Sequence, residues 1–360
     1  MQMSIRQFGL VFFGLAFSSV ICLFVAITAP RSVAAPPPPR PPMVTAETEA
    51  CIAKALKYLG SKQSSDGAWR NEGAYGSYPV AMTALSGLAL TASGSTPSQG
   101  PYAPHLRKAL NYIVRSSQRN GLICRRGEEE SRSLYGHGFS MLFLGEIYGM
   151  EEDEERMNQI RWVLQKGVEL TGKSQSNLGG WLYTPDMEGD EGSVTVTQVQ
   201  GLRAARNAGI AVPKKIIDNA MKYLEKSVQG DGGIAYRVGM TGSRPPISAA
   251  AVVCWFNAGE YQNPMALNCL KYCKGSIGVR GVQDNIWGHF FYAHFYMSQA
   301  MYLSGEKDWN NYYPKIREHL IHSQSEDGSW DGDSVGRVYG TSLGLLILQL
   351  PYARLPIMQR

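Results

Sequence analysis

From residue 47 onward the chain alternates two kinds of apolar segment. In "CIAKALKYLGSK", Ile52, Ala55, Leu56 and Leu59 recur at three- and four-residue steps, with Lys54 and Lys57 between them. In "YPVAMTALSGLALTASG" there is no comparable polar face. Steps of three and four put apolar side chains on one side of a helix, so the first kind predicts a helix of an outer layer. The second kind must be buried on several sides.

The pair recurs at a period of about 50 residues. Later copies open on "HLRKALNYIV", "IRWVLQKGVEL", "IIDNAMKYLEK", "LNCLKYCKGS" and "YPKIREHLIHS", each followed by an apolar partner such as "ISAAAVVCWFNAGE" or "YGTSLGLLILQL". Six helix pairs with no polar terminal cap predict a closed double ring, an all-α (α/α)6 toroid spanning 47–355, and disfavour an open solenoid. Between the helices of a pair lies a turn in which a glutamine, an acid-glycine step and a tryptophan return. Gln63, Asp66, Gly67 and Trp69 form one complete copy, and Gln324, Asp327, Gly328 and Trp330 another. Partial copies are Gln118, Asn120 and Gly121; Gln175, Asn177, Gly180 and Trp181; and Gln229, Asp231 and Gly232.

This Q-x-x-D-G-x-W repeat resembles the signature of the terpenoid cyclases and the protein prenyltransferase β subunits. "SVTVTQVQGLRAARNAGI" and the ending "LPIMQR" further resemble exported bacterial prenyltransferase/squalene-oxidase-repeat proteins. The resemblance implies the same toroid, in which the glutamine bonds a neighbouring helix end and the tryptophan stacks on it. On that reading the acids of "QSEDGSWDGD" are turn residues, since aspartate tolerates turn geometry and glycine permits positive φ.

The catalytic motifs of that family are not repeated. The cyclase DxDD has its nearest counterpart in Glu188, Asp190 and Glu191 of "EGDEGSVTV". Clustered carboxylates raise one another's pKa, which makes Asp190 a candidate acid flanked by Glu188 and Glu191. Gly189 and Gly192 around them point instead to a solvated loop. For prenyl transfer the resemblance implies a zinc held by an Asp-x-Cys pair and a histidine, but Asp284 has no cysteine two residues on and Gly340 or Thr341 stands where the histidine belongs. No metal and no cofactor is expected. What the openings of the apolar helices do carry is aromatic and imidazole side chains: Tyr135, His137, Trp287, His289, Tyr292, His294 and Tyr339. In a closed ring they would stand at the mouth of a central cavity, suited to an apolar, isoprenoid-like ligand or a protein partner, or else they plug the ring. A carbohydrate-active (α/α)6 enzyme would need paired carboxylates, for which Asp186 or Asp190 with Asp333 are the candidates. A non-catalytic scaffold would have a filled centre.

Composition narrows the rest. With 35 basic and 30 acidic residues spread along 360, there is no cationic block that tracks phosphates, so nucleic acid is not an expected partner. The acidic runs Glu128 to Glu130 and Glu151 to Glu155 read as solvated loops or helix starts. After Arg6 the uncharged stretch from Phe8 to Ala29, then Arg31, Ser32, Ala34 and Ala35, reads as a signal peptide or membrane anchor over 1–35, with a proline-rich spacer over 36–46. Export is therefore expected, to the periplasm or beyond, with membrane attachment if the segment is retained. Cys51, Cys124, Cys254, Cys269 and Cys273 show no disulfide spacing and read as small apolar core residues.

Overall fold

The computed structural model describes residues 40–279 and 289–359. Residues 1–39, with the predicted export segment and the start of the proline spacer, lie outside the described residues, as does Trp287. At the end of the stretch read as spacer, Met43 and Val44 touch the helical domain. Val44 is buried, and the Met43 carbonyl accepts a hydrogen bond from Arg317 at 2.5 Å.

Among the described residues there are twelve α-helices and no sheet. The outer helices are α1 (Ala46–Lys62), α3 (Ala103–Ser116), α5 (Glu154–Lys173), α7 (Lys214–Ser227), α9 (Pro264–Ser276) and α11 (Glu306–Ser323). Each buries one stripe; in α3 this is Ala103, Leu106, Ala109, Leu110, Tyr112, Ile113 and Ser116. The inner helices are α2 (Pro79–Ala92), α4 (Ser133–Tyr148), α6 (Gly192–Asn207), α8 (Pro245–Asn257), α10 (Phe290–Ser304) and α12 (Arg337–Gln349). Every residue of α2 and of α8 is buried, as their missing polar faces require. Each inner helix packs on the next, and α12 packs back on α2. That closing seam is marked by Ser86 and Ser342, whose hydroxyls lie 3.0 Å apart, and by Gln349, whose Nε2 donates to the Ala89 carbonyl at 3.0 Å.

The recurring turn is what fastens one pair to the next. Gln63 Nε2 donates to the His105 carbonyl of α3 at 3.0 Å, and Gln175 Nε2 to the Ile216 carbonyl of α7 at 2.9 Å. The indole N–H of Trp69, Trp181 and Trp330 donates to Leu59, Thr171 and Leu320, in each case the carbonyl ten residues upstream in its own outer helix. Gly67 has φ +97° and faces the next outer helix so closely that a Cβ would stand 2.4 Å from the Lys108 carbonyl oxygen. Glycine is required there both for conformation and for space.

The centre of the ring is not an open channel. Gln200 of α6 donates to Gln299 Oε1 of α10 at 3.1 Å across the middle, and both side chains are buried. At the end where the inner helices finish, Leu355, Ile357 and Met358 of the C-terminal segment are buried, with the Ile357 N–H held by Glu146 at 3.2 Å. Side chains from non-adjacent helices thus meet inside the ring. The five cysteines among the described residues are free and buried. Among the described residues no helix is long and apolar enough to cross a membrane.

Candidate functional site at the tyrosine-lined mouth

At the end where the inner helices begin, half-buried side chains reach solvent. Tyr135 of α4 places its hydroxyl 2.6 Å from Ser193 Oγ and 3.3 Å from Glu191 Oε1. Tyr292 of α10 donates to the Ser193 carbonyl at 3.5 Å, joining α10 to the start of α6. Tyr183 and Tyr236, from two adjoining outer-to-inner loops, hydrogen-bond hydroxyl to hydroxyl. Tyr339 lies near Tyr292, its ionisation opposed by burial and then by the charge of Asp333. These groups form one aromatic rim.

Glu188, Asp190 and Glu191, read as one acidic loop, are separated by the fold. Glu188 is exposed, as a solvated loop requires. Asp190 is buried against Gly180, and its charge falls on Tyr223 of the outer helix α7. Glu191 is fully buried and caps α6, accepting from Ser193 N at 2.9 Å, Val194 N at 2.7 Å and Ser193 Oγ at 2.7 Å. Burial raises its pKa, and the donors around it oppose that rise. A helix start supplies unpaired N–H groups, which is why a carboxylate is stable there without a cation.

Two more inner helices are seated in the same way. Glu129 is buried and accepts from Val80 N of α2 at 3.2 Å and from Arg125 N at 2.9 Å; burial pushes its pKa up to about 7. The solvated reading of the run Glu128 to Glu130 is therefore corrected at Glu129. Asp333 accepts from Phe291 N of α10 at 3.2 Å, with a backbone φ of +55° and a pKa raised by burial to about 6. Asp186, the other acid proposed to pair with Asp333, is exposed. Carboxylates thus hold α2, α6 and α10, every second helix of the inner ring, with Glu129 and Glu191 buried and Asp333 half-buried. In the other acidic run Glu151 is buried and holds Arg156 at 2.9 Å, while Asp153 caps α5.

The histidines serve the frame. His137 is fully buried: Nδ1 accepts the Ile123 N–H at 3.3 Å and Nε2 meets Thr171 Oγ1 at 3.0 Å. Desolvation lowers its pKa to about 4, so the ring is neutral. In four of the other repeats its place is taken by Thr83, Thr195, Ser248 and Thr341, which accept the N–H of Trp69, Trp181, Ile234 and Trp330. His294, also fully buried, lies between Tyr312 Oη at 2.7 Å and the Gly278 carbonyl at 3.1 Å, its pKa lowered by burial to about 3. Both imidazoles are fully buried and hydrogen-bonded within the protein. His289 is exposed at the start of α10.

No known family profile matches the chain, and no curated protein matches it in sequence. Solved structures do match in shape. The GH76A α-1,6-mannanase from Salegentibacter sp. superposes with a TM-score of 0.64 at 11% identity, over 86% of this chain and 99% of that one. The apo type II terpene cyclase MstE from Scytonema gives 0.59 at 13%, over 86% and 98%. A protein from Actinoplanes gives 0.58 at 16%, over 85% and 99%. The chain has the (α/α)6 toroid fold. At these identities the likeness speaks for architecture alone, and the chemistry rests on the residues of the mouth. Several of those were not singled out from sequence: Ser193, Tyr183, Tyr236 and Glu129. A signal existed for His137, since Thr83, His137, Thr195 and Ser248 each follow their turn residue by 14 positions.

Proposed function

We propose that this protein binds a molecule with an apolar body, of isoprenoid type, at the tyrosine-lined mouth, and that it does so outside the cytoplasm. The use of the hydroxyls carries the reading. Tyr135 is engaged with Ser193 and Glu191, Tyr183 with Tyr236, and Tyr292 with the Ser193 carbonyl. With their polar tips tied to one another, these half-buried side chains present ring faces, which suit hydrocarbon or a diffuse cation. An oligosaccharide needs outward-aimed hydrogen-bonding groups. The ligands in the neighbours' structures span both classes, geranylgeranyl dihydroxybenzoate on the cyclase and α-1,6-mannotriose on the mannanase, so the choice between them rests on the mouth itself. Export is supported by the uncharged run from Phe8 to Ala29.

Catalysis is outside this reading. Asp190, the candidate cyclase acid, packs against Gly180 with its charge on Tyr223, and the oxygens of Glu191 are occupied by donors. The test is a fluorescence titration of the full chain with geranylgeraniol and with mannotriose. Geranylgeraniol is expected to bind, with Tyr135→Ala and Tyr292→Ala each weakening it by about tenfold. Binding of mannotriose without geranylgeraniol would overturn the proposal.

A further inference from the structure

The aromatic rim leaves two cations unaccounted for. Arg132 lays its guanidinium over the Tyr183 ring at 4.8 Å, and Arg237 lies 5.6 Å from the centre of Tyr236. Because those two tyrosines meet hydroxyl to hydroxyl, the stacked pairs are neighbours on one wall of the mouth. The Leu134 N–H donates to the Tyr183 carbonyl at 2.9 Å, fixing the Arg132 segment to the Tyr183 loop.

Both arginines are half-buried, and among the described residues neither has a carboxylate within 4.0 Å. Arg70, Arg156 and Arg337 each hold acids, and the other ring-stacked arginines Arg161 and Arg354 donate to the Tyr148 hydroxyl and the Ala92 carbonyl. Asp186, an acid of the Tyr183 loop, is engaged by the Thr184 hydroxyl. Arg237 Nε is shielded from solvent and meets no acceptor. Stacking uses the face of a guanidinium and leaves its in-plane N–H groups free, so each arginine is pre-oriented with unused donors at its edge. A shielded, unmatched donor costs free energy that an anion would recover.

We infer that Arg132 and Arg237 form a head-group subsite that takes a phosphate or carboxylate at the end of an apolar ligand. This rests on the reading of the mouth as an apolar-ligand site and narrows its ligand to an acidic amphiphile. The ring faces hold the hydrocarbon and the guanidinium edges hold the anion.

The test compares geranylgeraniol, geranylgeranoic acid and geranylgeranyl phosphate on the full chain and on Arg132→Gln/Arg237→Gln. The double variant is expected to stay folded, since each guanidinium contributes ring stacking and no ion pair. For the wild type, at least one acidic probe is expected to bind about tenfold or more tightly than the alcohol, as charge-assisted hydrogen bonds allow. In the double variant that advantage disappears while the alcohol binds as before. Tight binding of the phosphate alone identifies the head group as phosphate, and of both acids as either anion. Equal binding of all three probes to the wild type, or an advantage that survives in the double variant, overturns the subsite. If none of the three binds, the apolar-ligand reading has failed, and inorganic pyrophosphate decides the subsite separately. A rise in thermal midpoint confined to the wild type supports it, and no rise overturns it.

Discussion

Gln324 donates its amide N–H to the carbonyl of Cys51 at 2.9 Å, joining the last outer helix to the first across 273 residues of chain. The same glutamine holds the Gly328 carbonyl at 3.0 Å, and a Cβ on Gly328 would stand 2.6 Å from the Lys54 carbonyl oxygen. Ring closure thus uses the same contact that fastens the first and third pairs to their successors through Gln63 and Gln175.

Gln324→Ala is expected to cost about 1 kcal/mol, the net worth of a partly buried hydrogen bond. Gln118→Ala is the control, because Gln118 bonds only the exposed Arg126 side chain at 3.4 Å, and its loss should lie within measurement error. Gly328→Ala should cost more than Gln324→Ala, combining a φ of +90° with the clash on Lys54. Trp330→Ala should cost about 3–5 kcal/mol, as emptying a buried aromatic site does. Denaturant unfolding of the four variants ranks them.

The helical alternation, the sixfold repeat and the turn glycines were legible in the sequence because each is a local, repeated demand. A missing polar face dictates an inner helix wherever the chain runs. The carboxylates were not legible. Glu129 and Glu191 sit among glycines and charges and read as solvated, yet each is buried by the start of an inner helix, which for Glu129 belongs to a different repeat. Likewise His137 reads as chemistry until it is seen where another repeat has Thr195, accepting one backbone N–H.

His137 makes stability depend on acid. Its folded pKa, about 4, lies below the ordinary 6.5, so the unfolded chain binds the extra proton between those values and stability falls as pH drops through that window. His137→Thr, copying the other repeats, should remove about one proton's worth of slope, about 1.4 kcal/mol per pH unit. His137→Leu strands the Ile123 N–H and should destabilise at every pH by about 1–3 kcal/mol. Unfolding measured from pH 4 to 7 separates the two.

Glu146 acts in the opposite sense. Burial lifts its folded pKa to about 7 from the ordinary 4.5, so the native state binds the extra proton between these values and stability is lost as pH rises through them. Glu146→Gln retains an oxygen for the Ile357 N–H and cannot ionise. Its stability relative to wild type should therefore improve steadily from pH 5 to 8 in thermal unfolding.

Glu191→Ala should cost about 2 kcal/mol, because the Ser193 and Val194 N–H groups lose a fully buried cap. It should also weaken geranylgeraniol binding, since Tyr135 loses one of its two anchors. Hydrogen exchange at Ser193 and Val194 reports the first effect and the fluorescence titration the second.

The Gln200–Gln299 bond across the middle of the ring has a topological consequence for any occupant of the mouth. With Leu355, Ile357 and Met358 buried at the far end of the inner helices, a molecule seated at the mouth would enter and leave on one side, and a long chain would keep one end outside.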